Sequence, residues 1–343
     1  MNIHHLPLAA ARIAAANRLL QIGNPLEPLA ATQPGDVDLP PVEASARIAA
    51  RMLGFIESDA AVIGRAWQAR AQRTGQGEGL HARIDKDADA DVGLEELTWP
   101  DAPDEFGVPP WPRAGAFAAC PQVLGLYVVA PDAQWIARLA QWGVPTVQLR
   151  YKPAEGTEPV SAELRAQVRA AVRAVEGTAT RLFINDHWHV ALEEGAYGVH
   201  LGQEDLSTLS GADLDRMRQT QLRLGLSTHG YAEMLRAEAV GPSYLAMGAV
   251  YPTTLKAMPT APQGPHRLAA YARLMRGRPL VAIGGIDETR LDEVARSGVG
   301  SIAVVRAITG ASHPEQTAKG LKHLIENLQK TEQPSQNAPK TIL

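Results

Sequence analysis

At 343 residues, with 45% hydrophobic and 20% charged side chains, the chain can bury a substantial core and has the composition of a soluble globular protein. A formal net charge of −4 excludes a general electrostatic attraction to nucleic acid or to an anionic membrane. A single cysteine, Cys120, excludes an internal disulfide framework, and no run approaches the ~20 apolar residues of a membrane span. The first twenty residues lack a basic leader followed by an apolar core, so a cytoplasmic location is expected.

Residues 1–80 are Ala-rich and helical in pattern. Between Glu43 and Arg73, Ile48, Met52, Phe55, Ile56, Ile63 and Trp67 recur at helical spacing, which predicts one or two amphipathic helices. Residues 84–105 carry nine Asp or Glu against one Lys, a solvated segment by composition. Six prolines follow between Pro100 and Pro121, so residues 81–120 read as an acidic, Pro-rich linker. Neither the extension nor the linker holds a catalytic or nucleotide-binding motif, and together they read as a tether dispensable for chemistry. His4, His5, His187 and His189 lack further ligands at metal-binding spacing and read as ordinary polar residues.

After Pro121 short apolar runs alternate with helical stretches. Strands are predicted near 123–129, 144–150, 181–185, 197–201, 222–226, 243–248, 279–283 and 300–305. Helices are predicted near 133–142, 161–176, 187–195, 211–219, 230–240, 265–276, 287–297 and 314–329. Eight strand–helix units over residues 121–330 predict an α/β fold of the (β/α)8 barrel type. An open doubly wound sheet is the alternative, weakened by the absence of G-x-G-x-x-G after the first strand. Residues 331–343 read as a frayed tail.

In such a barrel the carboxyl ends of all strands share one face, and that face carries the chemistry. The second strand ends VQLRYK, where alternation sends Gln148, Arg150 and Lys152 in one direction. An Arg fork and a Lys point charge together suit a phosphate clamp. The third strand ends at Asn185 and Asp186, and the fourth leads through His200 to Gln203 and Asp205. Two carboxylates there could hold Mg2+, a hard cation that takes a few carboxylates plus water and phosphate oxygens. Either Asp could equally serve only as a helix cap. The fifth strand ends with Ser227 and His229 just before a helix, where anions are favoured, although Ser227 could act simply as an N-cap. A Thr- and Pro-rich loop with Lys256 follows the sixth strand and has the character of a lid. Gly284 and Gly285 after the seventh strand would let backbone approach a phosphate, or would merely make a tight turn. The eighth strand leads through Val305 into Arg306.

Over residues 123–310 these pieces resemble the thiamine phosphate synthase family. The resemblance is carried by VQLRYK, LFIND, GAYGVHLGQEDL, LGLSTH, YPTTLK with MPTAPQG, VAIGGI and GVGSIAVVRAI, each at a predicted strand end. It implies a barrel transferase that joins 4-amino-5-hydroxymethyl-2-methylpyrimidine diphosphate to a thiazole phosphate, with small-molecule substrates, no nucleic acid and no membrane. Homo-oligomerisation stays open.

By the same resemblance Gln148, Leu149, Arg150, Tyr151 and Lys152 bind the pyrimidine and its diphosphate, with Asn185, Ser227 and Lys256. Asp186 and Asp205 hold Mg2+, and His200 falls in the pyrimidine pocket. Thr253, Thr254, Leu255, Gly285, Val305 and Arg306 line the thiazole phosphate site. Arg150, Lys152 and Lys256 would stabilise charge on the departing pyrophosphate. The family usually has Thr at the position of Leu255 and Ser at that of Arg306, which bears on the thiazole phosphate site. A thiazole tautomerase-like isomerase and a non-catalytic ligand-binding barrel are the competing readings. Retention of the Arg, Lys, Asn and Asp set argues against the isomerase.

Overall fold

The computed structural model describes residues 6–75, 97–152, 160–254 and 260–332. Every predicted strand forms. They are β1 (Gly125–Ala130), β2 (Thr146–Leu149), β3 (Arg181–Asn185), β4 (Gly198–Leu201), β5 (Arg223–Thr228), β6 (Tyr244–Met247), β7 (Leu280–Ala282) and β8 (Ser301–Val304). All pair in parallel with their sequence neighbours, and β1 pairs with β8, so the sheet closes into an eight-stranded barrel. In chain order the helices are α1 (Leu6–Ala16), α2 (Pro28–Ala31), α3 (Pro41–Met52) and α4 (Glu57–Thr74) before the barrel. Between strands follow α5 (Ala133–Gln141), α6 (Ala162–Val175), α7 (Trp188–Glu193), α8 (Gln203–Thr208), α9 (Gly211–Gln219), α10 (Tyr231–Val240), α11 (Gly264–Leu274) and α12 (Leu291–Ala295). After β8 come α13 (Arg306–Thr309) and α14 (Pro314–Glu332). Two short helices, α8 and α13, open just after β4 and β8, ahead of the longer helices α9 and α14.

Local chemistry sets the helix starts. Asp132 accepts from Trp135 N (2.8 Å) and Ser161 from Leu164 N (3.1 Å), each satisfying an orphan amide of the following first turn. Ser210 and Asp213 cap α9 reciprocally, in the manner of a capping box.

The chain divides into two compact units. One holds all eight strands and spans 114–228, 241–253 and 277–343. Its interior is unusually aromatic for a parallel barrel. Tyr127 of β1, Phe183 of β3 and Tyr244 of β6 are at most 1% exposed and pack with Leu124, Val129, Ala246, Val281 and Ala303. The Phe183 and Tyr244 rings meet edge to face with centroids 5.1 Å apart, a favourable quadrupole arrangement. Rings this large fit because the facing strands carry glycine. A Cβ on Gly198 would lie 2.5 Å from Phe183 Cε1, and one on Gly225 would lie 2.1 Å from Tyr244 Cζ.

The other unit combines residues 1–113 with 229–240 and 254–276, so it contains α10 and α11, the helices that follow β5 and β6 in the chain. Helices α3 and α4 approach so closely that a Cβ on Gly64 would sit 2.9 Å from Glu43 O. Buried Asp36 pairs with Arg51, whose Nε donates to Ala31 O (2.7 Å) and whose Nη1 reaches Glu57 (3.0 Å). Phe55, Trp99, Phe106, Tyr231 and Tyr271 form one aromatic cluster. Phe55 stacks on Trp99 (5.5 Å), Phe106 on Tyr231 (5.1 Å), and Tyr231 meets Tyr271 edge-on (4.9 Å). Trp99 Nε1 donates to Tyr231 Oη at 2.9 Å. The Arg267 guanidinium lies 3.5 Å from the Phe55 ring centroid and donates to Leu20 O and Leu53 O. The described part of the acidic, Pro-rich stretch therefore supplies buried anchors, Trp99, Phe106 and Val108, and the buried carboxylate Glu105, which pairs with Arg70 and Arg73. Among the described residues no helix is long and apolar enough to cross a membrane.

Candidate active site

The carboxyl ends of β2 to β5 bring four of the expected residues into one hydrogen-bonded group. Gln148 (4% exposed) projects into the barrel and donates from Nε2 to Asn185 Oδ1 at 2.7 Å. His200 (7% exposed) contacts Ser227 Oγ through Nε2 at 2.8 Å. Two tyrosines that the sequence reading did not single out join these pairs. Tyr127 Oη donates to Gln148 Oε1 (3.2 Å) and contacts Tyr244 Oη (2.8 Å), which in turn contacts His200 Nδ1 (2.7 Å). Burial pushes both phenols far above their ordinary pKa, so each keeps its proton at any physiological pH. The signal for them lay in period-two alternation. Tyr127 in GLYVVA and Tyr244 in YLAM face the same interior as their apolar neighbours, where a hydroxyl must find a partner.

The two carboxylates sit at adjacent strand ends. Asp186 follows β3 directly, and its amide donates to His200 O (3.0 Å) across the β3–β4 pair. Its φ is +62°, in the left-handed region that Asp tolerates better than most non-glycine residues, and its side chain is exposed. Asp205 lies in the first turn of α8, half-buried, and accepts from Gly202 N at 2.8 Å. It thus acts as a cap, yet a carboxylate has room for further partners. Burial lowers the pKa of His187, with Asp205 pulling the other way, so the imidazole next to Asp186 favours its neutral form. Among the described residues no three His, Cys, Asp or Glu converge in a metal-ligand group. Two oxygen-donor carboxylates nevertheless suit Mg2+, which fills its remaining positions with water and phosphate oxygens.

Arg150 is half-buried with its amide bonded to Ala130 O (2.8 Å), and Lys152 is exposed. Leu149 is 1% exposed, so its side chain belongs to the barrel packing. Tyr151 donates to Glu163, and that bond is the main cause of its raised pKa. Gln203 Nε2 bonds Ser227 O (2.8 Å), tying the start of α8 to the end of β5. The β7 glycines serve packing. A Cβ on Gly284 would lie 2.6 Å from Ala249 Cα, and one on Gly285 (φ +64°) would lie 2.6 Å from Pro252 O. They therefore let the loop after β6 lie against the loop after β7. Thr253 and Val305 are half-buried, and Thr254 and Arg306 are exposed. Leu255 and Lys256 lie outside the described residues.

A closed parallel barrel with amides, an imidazole, a hydroxyl and two carboxylates at its strand carboxyl ends has the layout of a (β/α)8 enzyme. Residues 126–308 match a family model described as thiamine monophosphate synthase. The thiamine-phosphate synthase of Neisseria meningitidis serogroup A is 50% identical over 201 residues, covering 59% of this chain and 94% of the relative. That of Cronobacter sakazakii is 49% identical over 195 residues, covering 57% of this chain and 89% of the relative. Among solved structures, a thiamine phosphate pyrophosphorylase from Pyrococcus furiosus aligns with a TM-score of 0.51 at 27% identity, over 60% of this chain and 96% of that one. The chain belongs to the thiamine monophosphate synthase family and is an enzyme of thiamine phosphate synthesis.

Proposed function

We propose that the enzyme couples 4-amino-5-hydroxymethyl-2-methylpyrimidine diphosphate to 4-methyl-5-(2-phosphoethyl)-thiazole, giving thiamine phosphate and pyrophosphate. The observation that carries this reading is the joining of Gln148, Asn185, His200 and Ser227 at the ends of β2–β5, beside the carboxylates of Asp186 and Asp205. The Gln148 and Asn185 amides and the buried imidazole offer directional donors and acceptors for a heteroaromatic ring, and they cost little reorganisation because they are already paired. Arg150, Lys152 and Lys256 supply positive charge for the diphosphate. Asp186 and Asp205 would hold Mg2+, which when bound neutralises charge on the pyrophosphate.

The chemistry asks for no protein nucleophile. Loss of pyrophosphate leaves a methylene cation stabilised by the aminopyrimidine, and the thiazole nitrogen supplies the electron pair of the new C–N bond. The residues' task is to align the two substrates and to offset charge developing on the leaving group. Thr253, Thr254, Leu255, Gly285, Val305 and the backbone of Arg306 would receive the thiazole phosphate. We further propose a cytoplasmic location, in keeping with the single cysteine. The test is a coupling assay with both substrates and Mg2+. Formation of thiamine phosphate and pyrophosphate in equal amounts is expected, and absence of both from a folded chain would overturn the reading.

A further inference from the structure

Six side chains on six consecutive strands form one unbroken hydrogen-bonded chain inside the barrel: Asn185, Gln148, Tyr127, Tyr244, His200 and Ser227. A tyrosine hydroxyl has one proton, so each phenol can donate to only one neighbour and must accept from the other. Counting protons along the chain then fixes its direction. Gln148 donates from Nε2 to Asn185, which leaves its Oε1 to accept from Tyr127. Tyr127 has spent its proton on Gln148, so it accepts from Tyr244 at 2.8 Å. Tyr244 has then spent its own, so it accepts from His200 Nδ1 at 2.7 Å. A neutral imidazole protonated at Nδ1 has only a lone pair at Nε2, so Ser227 donates to it at 2.8 Å.

We infer that Tyr127 and Tyr244 are positioning residues that transmit the orientation of the Gln148–Asn185 amide pair to His200, holding it as the Nδ1–H tautomer with Ser227 as donor. The tautomer follows from the proton count along the chain with the Gln148 amide oriented Nε2 toward Asn185 and Oε1 toward Tyr127. Its relevance to turnover rests on the function proposed above. Ser227 has its proton committed to His200 and turns oxygen lone pairs toward whatever binds beside it. It can donate to a bound anion while Nε2 stays satisfied only if all four internal members of the chain reverse together, both phenols and the Gln148 amide included. Gly225 makes the arrangement sterically feasible, since a Cβ there would lie 2.4 Å from Tyr244 Oη. The two ends of the hydrogen-bonded series, Asn185 and Ser227, are thereby coupled through protons rather than through backbone movement.

The experiment is 15N NMR of the full chain labelled at histidine, without substrates, at neutral pH. Ten histidines are present, and the His200 signals are assigned by their loss in His200→Asn. In the unaltered chain Nδ1–H is expected to exceed Nε2–H by at least about tenfold, or about 1.4 kcal/mol. In Tyr127→Phe the Tyr244 hydroxyl loses its acceptor and is free to donate to Nδ1, so the ratio is expected to move at least about tenfold toward Nε2–H. That variant touches neither nitrogen of His200, and a role confined to packing would leave the ratio where it was. An Nε2–H tautomer or an imidazolium in the unaltered chain would overturn the proposal, as would a ratio unmoved within about twofold in folded Tyr127→Phe. Should Tyr127→Phe fail to fold, the tautomer of the unaltered chain decides. Loss of the coupling reaction with the tautomer pattern intact would count against the proposed function and leave this proposal standing.

Discussion

Replacing Asp59 by asparagine should change the pH dependence of stability in a direction opposite to that of an ordinary surface carboxylate. Asp59 is 3% exposed, and its Oδ1 accepts from Ala232 N (2.9 Å) at the start of α10. Gly230 is what admits it, since a Cβ there would lie 2.1 Å from Asp59 Oδ2. Burial raises the pKa to about 6, outweighing the backbone bonds from Ala232 and Tyr231 and the attraction of Arg267. The folded pKa thus lies above the ordinary 3.8, so between these values the folded state binds more protons than the unfolded one. Stability contributed by the protonated form is full below pH 3.8, declines as pH rises, and is lost above about 6. At about 1.4 kcal/mol per pH unit the loss is about 3 kcal/mol. The α10 dipole favours the anion by about 0.3–1 kcal/mol, which is too little to reverse the sign. Asn keeps an acceptor for Ala232 N and does not titrate. Urea unfolding across pH 4–8 should show Asp59→Asn gaining on the original chain by up to about 3 kcal/mol between pH 4 and 7, then running parallel. A difference constant with pH, or one shrinking as pH rises, would refute the reasoning.

Four further outcomes are expected. Asp186→Asn, which keeps the tolerance for φ +62°, and Asp205→Asn should each lower Mg2+-dependent coupling by a hundredfold or more, with melting temperature little changed for Asp186→Asn. Near-normal turnover in either would remove it from the proposed metal site. Gly225→Ala forces a methyl into Tyr244, and overpacking of this kind costs about 1–3 kcal/mol; a variant as stable and active as the original would show that the ring can move freely. A chain starting at Ala114 leaves Tyr231 and Tyr271 without Phe55, Trp99 and Phe106, and should be poorly soluble or bind a hydrophobic dye, whereas a soluble, fully active product would mark the extension as a tether. Because Arg306 is exposed, Arg306→Ser should change the apparent KM for the thiazole phosphate by less than about threefold; a tenfold rise, about 1.4 kcal/mol, would show that the guanidinium reaches the ligand.

The barrel was legible in the chain because its signals are local. Each of the eight strands was an apolar run bounded by turn residues, the helices that follow β1, β2 and β4 carried N-cap residues at Asp132, Ser161 and Ser210, and a parallel barrel needs little else to define its order. Strand-end motifs such as VQLRYK and GVHLGQEDL were equally visible, because a barrel puts every strand's carboxyl end on one face whatever the details of packing. The pairing of Gln148 with Asn185 and of His200 with Ser227 depends on register and side-chain direction, which the tertiary structure decides. Period-two alternation marks Tyr127 and Tyr244 as inward-facing rings whose hydroxyls need partners, but which partners they find is decided only when β1 and β6 converge across the barrel interior. The acidic stretch misdirects for a related reason. Composition averages over many solvated charges and hides Trp99 and Phe106, whose burial depends on Tyr231 in a helix 125 or more residues away. Sequence determines patterns that repeat along the chain, and only the fold decides which distant groups share a proton or a core.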